Sequence, residues 1–289
     1  MKLGIYSHCT IDTIKIGDSS EQQVGGAACY CGITARQLKF DVELFTKFGK
    51  DFPSEYLTQN KIQAINGISE KPTTRFVLDI KGSDRDLFLE NSCEEITFVE
   101  SDADGILVSP LFDEISYDTF NKIKENSNFL FLDPQGFLRR KDSSGKIFLE
   151  KTDLDLSDVS AIKAGSDEIA SITGESDIEG MKLLHKKGVQ HVLYTDKENI
   201  SLLIDDKLYS LKLPNKEIRD TTGIGDIFSS TFACTMLKEK DFLWAFCFAA
   251  GSAQAALDSK ELGLAKIPLK GATESNASYF YNTVKFKQV

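Results

Sequence analysis

Short apolar, β-branched runs alternate along the chain with stretches of helical periodicity, which is the pattern of a parallel sheet carrying helices on its faces. The runs Leu3–Ser7, Val42–Phe45, Ile106–Ser109, Phe129–Asp133, Ala161–Lys163 and His191–Thr195 predict strands. Ala27–Leu38, Ser116–Glu125, Asp167–Ile172, Ile178–Lys187, Asp226–Lys238 and Phe242–Leu257 predict helices. No internal repeat or low-complexity segment interrupts them. One region breaks the alternation. Thr73–Ile80 and Asp86–Glu90 flank the turn-rich insert Lys81-Gly82-Ser83-Asp84-Arg85 and read as a hairpin, and Thr10–Ile16 alternates as well. These pieces form either a small second sheet covering one face, a lid, or an extension of the main sheet; the pattern alone leaves both open.

Composition adds exclusions. The chain has 289 residues, 41% hydrophobic and 27% charged, enough apolar material for a sizeable core. Lys plus Arg number 34 against 44 Asp plus Glu, a net charge of −10, so there is no electrostatic reason to seek nucleic acid. Phe242–Leu257 is interrupted by Ser252 and Gln254 and falls short of a membrane span. The opening residues run straight into a strand with no signal-peptide pattern. A soluble cytoplasmic protein without nucleic-acid or membrane partners is expected. The six cysteines, Cys9, Cys29, Cys31, Cys93, Cys234 and Cys247, are too sparse for a disulfide scaffold. No second pair completes a zinc site around Cys29 and Cys31, which read as small apolar packing residues.

The strongest local signal is Asp220-Thr221-Thr222-Gly223-Ile224-Gly225-Asp226, leading into a helix. Two glycines just before a helix let backbone N–H groups converge without Cβ interference, and a helix N-terminus is a ready anion site. Asp226 falls in the first turn, aimed at the same place. Taking a proton from a hydroxyl that attacks a phosphoryl group is natural work for a carboxylate so placed. A capped helix start, with Thr and Asp as caps and Gly for the tight turn, explains the same spacing. The segment is neither a G-x-x-x-x-G-K-[ST] loop nor a dinucleotide fingerprint, since no G-x-G-x-x-G follows the first strand.

With these residues in hand, the chain resembles the ribokinase-like (PfkB) carbohydrate kinase family. DTTGIGD is similar to that family's DTTGAGD, and Asp12 with Gly25-Gly26 resembles its N-terminal substrate region. Gly49-Lys50-Asp51, Asp133-Pro134, Glu168 before Thr173-Gly174 and the small-residue helix near the end follow in the family's order. The resemblance implies a single α/β domain over 1–289: a three-layer α/β/α sandwich, its central sheet mostly parallel, with a small β-sheet lid from about 10–20 and 62–95. It implies that Asp226 is the catalytic base and that Gly223, Ile224 and Gly225 offer backbone N–H groups to the transferred phosphoryl. Asp12, Gly25 and Gly26 would hold substrate hydroxyls. Glu168 matches the Glu of the family's N-x-x-E and would act on Mg²⁺ through water, although Gly165 stands at the Asn position; a helix N-terminal Glu favoured by the dipole is the competing reading. Thr195 and Thr222 would lie on the ATP side, where both glycines of the family's T-x-G-x-x-G are absent from Thr195-Asp196-Lys197-Glu198-Asn199-Ile200. Ala250 and Gly251 would admit an adenine, or simply mark a close helix contact.

The substrate end departs from the sugar-kinase pattern. Tyr30 in GGAACY takes the place of an amide, which looks more like the archaeal and plant inositol kinase branch, as does Asp133-Pro134-Gln135-Gly136-Phe137-Leu138-Arg139. Gln135 and Arg139 are then candidate substrate contacts, Arg139 suiting a phosphate-bearing ligand. The resemblance implies an ATP- and Mg²⁺-dependent kinase of a small polyol or sugar, myo-inositol first. Mevalonate phosphate, nucleosides, pentoses and hexoses are alternatives, as is a weakly catalytic ligand sensor. Exposed lid strands imply a homodimer.

Overall fold

The structure, a computed structural model, describes residues 1–81, 84–214 and 220–289. In chain order the first half comprises β1 (Lys2–Tyr6), β2 (Thr10–Ile16), β3 (Ser19–Gly25), α1 (Gly26–Gln37), β4 (Asp41–Phe45), α2 (Glu55–Gln59), β5 (Gln63–Ile65), β6 (Arg75–Lys81) and β7 (Asp84–Asn91). Then come β8 (Gly105–Val108), α3 (Tyr117–Glu125), β9 (Leu130–Leu132), α4 (Gln135–Leu138), β10 (Arg139–Lys141), β11 (Ile147–Leu149) and β12 (Ala161–Ala164). The last part holds α5 (Ser166–Thr173), α6 (Asp177–Lys186), β13 (His191–Asp196), β14 (Asn199–Ile204), β15 (Lys207–Lys212), α7 (Ile224–Glu239), α8 (Phe242–Leu257), a 3-10 turn (Gly263–Lys266), α9 (Lys270–Thr283) and β16 (Lys285–Gln288).

Alternate side chains of the central strands enter two different cores, and this dictates three layers. Leu3, Ile5, Leu107, Phe131 and Leu193 face one core, completed by α1, α7, α8 and Phe280 of α9. Tyr6, Ile106, Val108, Leu130, Leu132 and Val192 face the other, completed by α3, α5 and α6. Strands buried on both faces read as continuous apolar runs, which is why the sequence shows them clearly. Helix starts are marked locally: Asp241 accepts the N–H groups of Leu243 and Trp244 at 3.0 Å, and Ser116 that of Thr119 at 3.3 Å.

The main sheet has 10 strands in the order β16-β15-β14-β13-β12-β9-β8-β1-β4-β5. From β13 to β5 every pairing is parallel; β14, β15 and β16 add an antiparallel edge. A second sheet, β3-β2-β6-β7, stands apart from it, so the alternating pieces do build a separate sheet. Its extent differs from the expected 10–20 and 62–95. Gln63–Ile65 joins the edge of the main sheet beside β4, while the second sheet takes in residues to Gly25. The β6–β7 hairpin is formed, with Gly82 and Ser83 of its expected turn lying outside the described residues. Thr195–Ile200, the segment set against the family's T-x-G-x-x-G, is a tight hairpin in which Thr195 pairs with Ile200. All six cysteines are free and buried. Among the described residues no helix is long and apolar enough to cross a membrane.

Candidate functional site

The parallel strands end on one side of the sheet, where open α/β sheets carry their ligands. β1 delivers the chain to Thr10 and Asp12, β9 to Asp133, β12 to Lys163, and β13 to Thr195. The loop Thr221–Gly225 enters α7 beside them and forms the wall shared by two cavities.

The first cavity, about 190 Å³, is roofed by the second sheet through Phe76, Leu78 and Leu87. Its polar lining is Asp12, Asp133, Gln135, Arg139, Lys163 and Asp226, with Tyr30 and Gly26 from α1. Asp12 is buried in this wall; its Oδ2 accepts from the Thr10 hydroxyl at 2.8 Å, and its Oδ1 meets no donor among the described residues. Burial pushes its carboxyl up to about 6, against the opposing hydrogen bond from Thr10. An oxygen left open in a cavity wall is a ready acceptor for a ligand hydroxyl. Gly25 sits against Asp12, a Cβ there lying 3.1 Å from Oδ2. Gly26 has φ +80 and a Cβ would meet the His8 carbonyl at 2.5 Å, so only glycine fits.

Asp226 lies at the start of α7, in the wall of the same cavity. Burial and then the charge of Asp133 push its carboxyl up to about 7, while Lys163 and Arg139 oppose the rise. Lys163 binds Asp133 at 2.6 Å, an ion pair with both partners buried. Burial would lower the Lys163 ammonium, but Asp133 and then Glu168 outweigh it and keep it charged. A Cβ on Gly225 would lie 3.1 Å from Lys163 Nζ, so this cation stands directly beneath the glycine loop.

That loop is shaped by Gly223, whose φ is +73. A Cβ there would strike the Tyr30 ring at 2.4 Å. The Ile224 N–H reaches the Thr221 carbonyl at 3.3 Å, whereas the N–H groups of Gly223, Gly225 and Asp226 meet no acceptor among the described residues. Free N–H groups at the positive end of a helix dipole are an anion cradle.

The second cavity, about 590 Å³, lies on the other side of the loop. Thr195, Lys197, Glu198 and Asn199 line one part of it; Ile200, Leu213, Pro214, Ile224, Phe228, Ala253 and Leu257 make an apolar cleft. The Ile224 side chain finds its room here. Three sequence assignments shift. Thr222 lines the first cavity, not the second, and its N–H is held by Asp220 Oδ1 at 2.8 Å. Ala250 and Gly251 are buried one turn away from the cleft, where a Cβ on Gly251 would meet the α9 backbone at 2.7 Å, so the small residues there serve helix packing. From α8 it is Ala253 and Leu257 that reach the cleft.

Glu168 Oε2 accepts the Gly165 N–H at 2.7 Å, the helix-start role that competed with a metal role. Burial raises its carboxyl, with Lys163 opposing. Among the described residues no group of three or more His, Cys, Asp or Glu could hold a metal ion directly. Glu168 is absent from the lining of both cavities.

Lys163 carries no mark in the sequence motifs, yet a lysine inside the buried strand AIKA signals that a buried counter-charge must exist. The same holds for Lys266 in the apolar stretch LGLAKIPL, which pairs with Asp220 at 2.8 Å.

Residues 5–268 match the model of the pfkB family of carbohydrate kinases. A cytidine kinase of Thermococcus kodakarensis is 26% identical over 250 residues, 80% of this chain and 87% of the relative. A pyrophosphate-dependent kinase in the ribokinase family, solved with a pyrophosphate analogue and myo-inositol, superposes with TM-score 0.80 at 21% identity, covering 94% of this chain and 99% of that one. Ribokinase of Arabidopsis thaliana with ribose and ATP gives TM-score 0.74 at 17% identity, over 95% and 98%.

Proposed function

The chain belongs to the PfkB family of carbohydrate kinases, and from that premise we propose that it moves the γ-phosphoryl group of ATP to a hydroxyl of a small polyol, myo-inositol foremost. That it is a phosphotransferase acting on a sugar or alcohol follows from the family. The observation that carries the proposal is the position of Asp226, in the wall of the acceptor cavity beside the loop that also borders the second one, with a carboxyl near neutral. A base is most effective when its pKa lies near the working pH.

In this reading the acceptor lies under the second sheet with one hydroxyl on Asp12 and another within reach of Asp226. The hydroxyl oxygen forms a bond to phosphorus, the bond from phosphorus to the leaving diphosphate oxygen breaks, and the hydroxyl proton passes to an Asp226 carboxylate oxygen. Gly223, Gly225 and Asp226 N–H groups and the Lys163 ammonium face the charge of the moving phosphoryl. Magnesium, bound with the donor, would neutralise phosphate charge. With the acceptor filling the cavity, the roof of Phe76, Leu78 and Leu87 would keep water from competing as nucleophile.

ATP is favoured over pyrophosphate by the cleft itself. Two phosphates alone leave the apolar wall of Phe228, Ala253 and Leu257 without a partner, whereas a purine fills it. A second reading of the acceptor, a nucleoside, draws on the apolar roof and Leu111, which offer nothing to a hydroxyl but suit a flat base. Two copies would pair through the exposed part of β3, residues 19–22, an edge of the second sheet whose Gln23 end lies against Gly263; the β7 side is partly covered, since Gly145 accepts the Leu89 N–H at 2.9 Å. Diphosphate release from Mg-ATP across myo-inositol, pentoses, hexoses, mevalonate phosphates and nucleosides tests the acceptor; a sensor would bind one of them without turnover. Light scattering tests the pairing, and a monomeric mass at working concentration removes it.

A further inference from the structure

Beside the phosphoryl loop, between residues that line neither cavity, lies an ion pair that the reaction scheme above does not use. Asp220 opens the loop. Its Oδ1 accepts the Thr222 N–H at 2.8 Å, and its Oδ2 accepts the Gly263 N–H at 3.0 Å and the Lys266 ammonium at 2.8 Å. The same ammonium donates to the Asp220 carbonyl at 3.1 Å. Lys266 is 2% exposed, and Nζ stands 5.9 Å from the centroid of the Tyr30 ring. That ring in turn lies against Gly223, the residue whose left-handed turn aims the free N–H groups.

These contacts form a closed mould. One side is the Asp220 carboxylate, which fixes Thr222; a second is the Tyr30 ring, which fixes Gly223; Lys266 joins the two. The lysine comes from the 3-10 turn between α8 and α9, so it ties a distant part of the chain to the loop. A buried carboxylate that loses its cation takes up a proton or turns towards water, and either change releases the Thr222 N–H it was holding. Burial would raise the Asp220 carboxyl, yet Lys266 and the two N–H donors hold it below its usual value.

We propose that Lys266 is a positioning residue for phosphoryl transfer, a cation built into the fold that holds the Asp220–Gly225 loop in its anion-binding shape without touching either substrate. The inference rests on the kinase reading of that loop. It predicts an effect on turnover larger than that on acceptor affinity: Tyr30, Thr222 and Gly223 border the acceptor cavity, but its charged contacts Asp12 and Arg139 lie elsewhere.

The test compares the parent protein with Lys266→Ala and Lys266→Met, in ammonium chloride or tetramethylammonium chloride at equal ionic strength. Lys266→Ala leaves a hole lined by the Asp220 oxygens; Lys266→Met fills it with an apolar chain. The expected result is a kcat at least about tenfold lower in Lys266→Ala, by the scale of losing well-aimed anion donors, with the acceptor KM within threefold of the parent. Ammonium should restore much of that kcat in Lys266→Ala, tetramethylammonium should not, and Lys266→Met should respond to neither. An unchanged kcat in Lys266→Ala, or a lost kcat in a folded protein that ammonium does not raise, overturns the proposal. Where Lys266→Ala does not fold, the neutral pair Asp220→Asn with Lys266→Met removes both charges; a parent-like kcat there overturns the proposal, and a low kcat with normal acceptor KM supports it. Failure of the kinase reading is distinct: the parent itself then shows no acceptor-dependent transfer.

Discussion

Replacing Asp226 by Asn should stabilise the protein while abolishing its turnover. The carboxyl is held at about 7 instead of the usual 3.8, chiefly by burial and by Asp133. The folded chain therefore keeps a proton that the unfolded chain has already lost between these two values. Stability falls as pH rises through that window and levels off above about 7. At 1.36 kcal/mol per pH unit the full cost is roughly 4 kcal/mol. Asp226 faces an open cavity, where solvent screens the charge, and about 2 kcal/mol is the expected gain for Asp226→Asn at pH 8. The gain should shrink below about 1 kcal/mol at pH 5, because the parent is then mostly protonated when folded. Differential scanning calorimetry at the two pH values reads this as a Tm rise of several degrees at pH 8 and little at pH 5. Turnover should fall by at least about a hundredfold, the scale of losing a general base. A variant less stable than the parent at pH 8, or equally stabilised at both pH values, would refute the assignment of a strained carboxylate to Asp226.

Gly223→Ala places a Cβ 2.4 Å from the Tyr30 ring at φ +73, and should cost about 2–5 kcal/mol in urea unfolding through strain and overpacking together. Asp12→Ala should raise the acceptor KM at least about tenfold, the loss of a charged hydrogen bond, and leave the ATP KM unchanged in steady-state kinetics. Since the Asp12 carboxyl is held at about 6, the parent's acceptor KM should fall as pH rises from 5 to 7. Ala253→Leu narrows the apolar cleft and should raise the ATP KM while sparing the acceptor KM; an unchanged ATP KM would mean that no base lies there.

The central strands were legible because they are buried on both faces and read as apolar runs, and α7 and α8 because glycine and aspartate mark their starts. The antiparallel edge was not. Asn199–Ile204 and Lys207–Lys212 alternate well, but the comparison with a glycine-rich nucleotide loop at 195–200 masked the strand pairing that begins at Asp196 and Asn199. Asp226 could be named from local spacing, since Gly223 and Gly225 mark the helix start just before it; Asp12 and Tyr30 came only with the resemblance to the family, because the glycines they pack against, Gly25 and Gly223, are brought to them by the fold. Lys163 and Lys266 could not, because their partners, Asp133 and Asp220, stand 30 and 46 residues away. Ala250 and Gly251 were misplaced by one helical turn: small residues mark close contact, and only the three-dimensional packing says with what.

The most direct test of the account is the acceptor-dependent release of ADP from Mg-ATP, followed against pH in the parent and in Asp226→Asn. The account predicts release with a cyclic polyol or another small alcohol, a rate that climbs with pH through a limb near 7, and its disappearance in Asp226→Asn. Acceptor-dependent release that is the same in both proteins, or that shows no such limb, would contradict it.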